Sequence, residues 1–98
     1  MMCGGVGNAN PADEEVIGIL NQVKGQVEGK TNDSYDVFEA HSYSTQVVAG
    51  TNFFIKVKVG DGKYIHVRVF RPLPHTNGSP EVHSVQMDKS EQDAIVHF

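Results

Sequence analysis

The chain has no tryptophan, a single cysteine and few basic residues, and each scarcity removes a class of function. Eight lysines and arginines face twelve carboxylates, a net charge of −4. Nucleic acids and anionic membrane surfaces are bound through clustered cations, so neither is an expected partner. With Cys3 alone, no intramolecular disulfide can form. Secreted domains of this size usually carry several bridges, so a reducing compartment is expected. Residues 1–12 hold neither the basic region nor the apolar run of a secretory leader. No apolar stretch is long enough to cross a bilayer before a charge interrupts it. The expected location is the cytoplasm, with the nucleus also open to so small a chain. The 98 residues suffice for one modest core, so one domain over 1–98 is expected.

What is present divides into an arm, a helix and strands. Residues 1–9 begin Met-Met-Cys-Gly-Gly-Val-Gly, lack periodicity and read as a flexible trunk. Asn10 as N-cap, Pro11 at the first helical position and Asp13, Glu14 and Glu15 in the first turn then predict a helix start. Val16, Leu20, Val23 and Val27 recur at spacings of four, three and four, with Ile17 and Ile19 widening the stripe. This pattern predicts an amphipathic helix of about five turns ending near Gly29. Gly18 and Gly25 inside it each cost about 0.5–1 kcal/mol against alanine, which a closely approaching sheet would offset.

Beyond Asn32 the period becomes two. Residues 36–48 read as a first strand, with Val37, Phe38, Tyr43, Val47 and Val48 among its apolar or aromatic members. In Thr51–Val59, Phe53, Ile55, Val57 and Val59 point one way and Lys56 and Lys58 the other. Gly60-Asp61-Gly62 predicts a tight turn. Lys63–Phe70 returns with Ile65, Val67 and Val69 inward and His66 and Arg68 outward. A loop holding Pro72, Pro74, Asn77, Gly78 and Pro80 precedes a strand over Val82–Met87, and Ala94–Phe98 either closes the sheet or lies along it. The expected class is α+β: one long helix packed on a four- to five-stranded antiparallel sheet.

Catalytic readings fail early. Cys3 sits in a flexible arm, where no base or oxyanion donor can be held beside it. The histidines at 41, 66, 75, 83 and 97 show no metal-ligand spacing and read as surface residues. The carboxylates gather where they would cap a helix. No cofactor is expected.

Three segments remain: Met2-Cys3-Gly4, Gln46-Val47-Val48-Ala49-Gly50 and Leu73-Pro74-His75. Each alone has an ordinary explanation as a frayed terminus, a strand end and a proline-stiffened loop. Together they differ, because turns joining strands one to two and three to four emerge at the same end of an antiparallel sheet. Small apolar tips aligned there would form a hydrophobic wedge, which a monomer does not expose without a partner.

Gln46–Gly50 is identical to the first-hairpin motif of the cystatin family, and Thr51-Asn52-Phe53-Phe54-Ile55-Lys56-Val57 resembles the strand after it in intracellular members. Residues 64–75, the Met1-Met2-Cys3-Gly4 arm and the overall length also resemble the stefin (type 1) group, most of all its B-type members. The resemblance implies the cystatin fold and no enzymatic activity. It implies a reversible, competitive, tight-binding inhibitor of papain-like cysteine proteases such as cathepsins B, H, L and S. By position, Met2, Cys3 and Gly4 resemble the trunk that lies in the non-primed subsites. Gln46, Val47, Val48, Ala49 and Gly50 resemble the tip over the catalytic centre, and Leu73, Pro74 and His75 the loop on the primed side. Secreted members carry Pro-Trp in that loop, and this chain has no tryptophan. It ends His97-Phe98 where the group typically ends Tyr-Phe. The alternative is an interaction module that keeps this fold without inhibiting proteases. A monomer is expected, with strand-exchanged dimers as the other arrangement long antiparallel strands invite.

Overall fold

A computed structural model describes residues 9–73, 78–96 and 98. Its elements are β1 (Asn10–Pro11), α1 (Glu14–Thr31), β2 (Glu39–Val48), β3 (Gly50–Gly60), β4 (Lys63–Arg71) and β5 (Glu81–Lys89). The strands form one antiparallel sheet whose spatial order follows the chain, β1-β2-β3-β4-β5. The expected α+β layout is present, with β1 as the short fifth strand.

The helix start differs from expectation. Asn10 and Pro11 are extended and pair with Tyr43 and Ser42, and the Ala12 N–H donates to the His41 carbonyl at 3.2 Å. Proline has no N–H to give, and an edge strand needs none from it. Asp13 is the N-cap instead, its Oδ1 accepting the Val16 N–H at 3.0 Å. The far end runs past Gly29 to Thr31 because Asn32 takes the left-handed conformation (φ 61°) and returns its N–H to the Glu28 carbonyl. Asparagine thus fills the terminating role that glycine was expected to take.

One face of α1 buries Val16, Ile19, Leu20, Val23 and Val27 against Phe53, Ile55, Val57, Ile65, Val67, Val69 and Val82. Ile17 falls outside the stripe and is 43% exposed. Gln26 fastens the helix to β5: its Oε1 accepts the Val82 N–H at 2.9 Å and its Nε2 donates to the Pro80 carbonyl at 3.2 Å. Gly18 and Gly25 do not serve a close approach. Both face solvent, and a Cβ on either would meet nothing within 4 Å.

The opposite face of the sheet is covered by the chain after β5, which adds no strand among the described residues. Lys56 Nζ donates to the Glu91 carbonyl, and Arg68 Nη1 to the Phe98 carbonyl at 2.9 Å. The Phe98 ring meets Phe54 edge-on, centroids 5.7 Å apart. His66, expected at the surface, points away from the helix yet is fully buried under this strap. Neither ring nitrogen has a hydrogen-bond partner among the described residues. Burial, with the nearby charges of Lys56 and Lys89, pushes its pKa down from 6.5 to about 4.

Candidate functional site

The hairpin between β2 and β3 turns on a single residue. Gln46 pairs with Asn52, Val47 with Thr51 and Val48 with Gly50, leaving Ala49 as the apex. Gly50 makes so abrupt a reversal possible, since its φ of +129° is disfavoured for any side-chain-bearing residue. Space also requires it: a Cβ there would lie 2.6 Å from the Arg71 carbonyl oxygen and 2.8 Å from the Phe70 ring. Val47 is 83% exposed and Val48 45%, an apolar tip with no ionisable side chain. Behind it, Asn52 Nδ2 donates to Gln46 Oε1 at 3.2 Å across the strand pair.

The root of the second loop lies at the same end. Thr51 pairs with Arg71, so the chain leaving β4 emerges beside the start of β3 and delivers Leu73, 39% exposed, next to the hairpin. Arg71 anchors that exit. Its guanidinium lies 4.9 Å from the Phe53 ring centroid and pairs with Glu15 of α1 at 2.7 Å. Between tip and helix runs an open groove of about 490 Å³, lined by Ile19, Gln22, Gly50, Arg71, Leu73 and Pro80 among others.

β1 is directed toward this edge. Because β1 is antiparallel to β2, with Asn10 beside Tyr43 and Pro11 beside Ser42, its N-terminal end is the one nearer the tip. Asp13 fixes the β1–α1 junction. The Val16 N–H, and then the Tyr43 hydroxyl that donates to its Oδ2 at 2.9 Å, hold its carboxyl below the usual range. The same bond raises the Tyr43 phenol.

The structure therefore brings together Gln46, Val47, Val48, Ala49, Gly50 and Leu73. Met2, Cys3, Gly4, Pro74 and His75 lie outside the described residues, as does His97. Among the described residues no three His, Cys, Asp or Glu side chains group as a metal site. Sequence reasoning missed Asn52, Phe70 and Arg71. Asn52 was within reach of it: once Ala49 is the apex, counting outward places Asn52 opposite Gln46.

The described residues therefore present an exposed apolar hairpin tip, without charge, beside Leu73 on a helix-backed antiparallel sheet. The chain's lineage follows from comparison. The cystatin-domain family model matches residues 4–92. Cystatin-A of Felis catus is 48% identical and Cystatin-B of Mus musculus 47%, each aligned over the whole of both chains. Leukocyte cysteine proteinase inhibitor 1 of Sus scrofa is 46% identical over this whole chain and 95% of its own. The chain belongs to the cystatin family. Its identities to A-type and B-type relatives are alike.

Proposed function

We propose that the chain is a reversible, competitive, tight-binding inhibitor of papain-like cysteine proteases, cathepsins B, H, L and S among them. The observation that carries this reading is the pair of exposed valines, Val47 and Val48, on a hairpin locked at Gly50 beside Leu73. In the cleft, Val47, Val48 and Ala49 lose apolar surface to the enzyme at roughly 25 cal/mol per Å². The tip presents no peptide bond in register with the nucleophilic thiolate, so the enzyme is blocked without turning the inhibitor over. Because hairpin and loop root are held before binding, little ordering entropy opposes docking. Leu73, Pro74 and His75 would cover the primed side.

Met2, Cys3 and Gly4 are proposed to lie in the non-primed subsites, which the direction of β1 favours. Gly4 lacks a Cβ, so backbone can pass close to the enzyme surface there. The family and the relatives' names favour inhibition over an interaction module that has lost it. The chain is proposed to act as a one-domain monomer in the cytoplasm. No helix among the described residues is long and apolar enough to cross a membrane.

Titrating active-site-counted papain with folded protein tests the reading. A break at one-to-one stoichiometry, with activity regained on dilution into substrate, is expected. Full activity under an excess of folded protein would overturn it.

A further inference from the structure

We propose that His83 is a positioning residue for the inhibitory edge, holding the Phe70 ring against Gly50 and so fixing the first hairpin on the root of the second loop. This rests on the reading of that edge as the protease-binding wedge. The β4–β5 ladder is irregular near its start in β5. Arg68 pairs with Ser84, but its neighbour Val69 pairs with Val82, so His83 is the extra residue of a bulge. Bulges re-aim side chains. This one turns the His83 imidazole onto Phe70, ring centroids 5.5 Å apart and 26° from parallel.

The Phe70 ring also bears on the tip. Its Cε1 and Cζ both lie 2.8 Å from the position a Cβ on Gly50 would take, so the ring is packed on the bare Cα. Three consecutive strands are thereby linked through one ring: Gly50 opens β3, Phe70 lies one residue from the end of β4, and His83 belongs to β5. Neither Phe70 nor His83 belongs to the cluster that joins helix and sheet, and His83 is exposed. The stack therefore places the edge without being needed to hold the core. Without His83 the Phe70 ring gains rotamers that leave Gly50, the hairpin gains freedom, and docking must remove that freedom again.

Two variants and two readouts test this. His83→Ala is expected to raise the Ki for papain about two- to tenfold, the range an aromatic pair supplies, with the chain still folded at the assay temperature. His83→Phe, which stacks without an imidazole, is expected to restore the wild-type Ki. In the free protein, the Gly50 Hα resonances should lose their Phe70 ring-current shift in His83→Ala and keep it in His83→Phe. An unchanged Ki in His83→Ala, equal weakening in both variants, or unmoved Gly50 resonances overturns the proposal. Failure of the wild-type chain to inhibit papain overturns the wedge reading, and this one with it. Wild-type inhibition that His83→Ala leaves untouched overturns this proposal alone.

Discussion

The two faces of the sheet are buried by opposite chemistries. Against α1, the inner face packs valine, isoleucine, leucine and phenylalanine, with no buried charge among the described residues. Against the strap after β5, the outer face buries Asn52, Lys56 and His66 around Phe54. There the Oδ1 of Asn52, both nitrogens of His66, Nε of Arg68 and Oε1 of Gln86 have no hydrogen-bond partner among the described residues. Burial of apolar area stabilises without conditions, whereas an unpartnered polar group costs about 1–3 kcal/mol when withdrawn from water. The helix-covered face therefore supplies stability, and the strap-covered face spends part of its gain on desolvation. The second face is the one that should open first and respond to pH.

The largest test of that contrast strikes the inner face. Leu20→Ala should cost about 2–5 kcal/mol in urea unfolding at pH 7, and a loss below about 1 kcal/mol would put the burden of stability elsewhere. Acid probes the outer face next. His66 has its folded-state pKa at about 4, below the ordinary 6.5, so the folded protein binds this proton less readily than the unfolded chain. Its contribution is whole above pH 6.5 and is lost progressively as pH falls toward 4, by about 2–3 kcal/mol. His66→Gln should flatten that part of the stability–pH curve, and an unaltered slope would refute the assignment. Phe98→Ala should cost about 1–2 kcal/mol and bring the His66 titration, followed by NMR, back toward 6.5 as the strap loosens. Gly25→Ala lies on neither face and should stabilise by about 0.5–1 kcal/mol. Val48→Asp should move stability least, within about 0.5 kcal/mol, yet raise the Ki for papain at least about tenfold. Unchanged affinity would mean the hairpin is not the wedge.

The inner face was legible in the sequence because it repeats: Val16-Leu20-Val23-Val27 and Ile55-Val57 carry their periods in the open. The hairpin tip was legible through its motif, and its placement beside Leu73 followed from antiparallel connectivity. The outer face was not. Lys56 and His66 alternate as solvent-facing residues should, and what buries them is a segment about 25 to 40 residues later in the chain that has no period of its own. The helix start was misread for a local reason. Asn10-Pro11 satisfies the rules for a cap as well as Asp13 does, and only the partners at Tyr43 and Ser42 decide between them. His83 was invisible as anything but a surface histidine, since a bulge is a relation between two strands.

Because the strand order follows the chain, every strand pairs with its sequence neighbour, and β2, β3 and β4 can zip together hairpin by hairpin over very short turns, with β5 added across a longer loop. The helix cannot. Its fastenings at Gln26–Val82 and Glu15–Arg71 each span 56 residues, so the loop-closure entropy of folding falls mainly on docking it. Until it docks, the valine-lined inner face stands open to water and to other chains. A seated α1 is therefore also this molecule's shield against aggregation through that face.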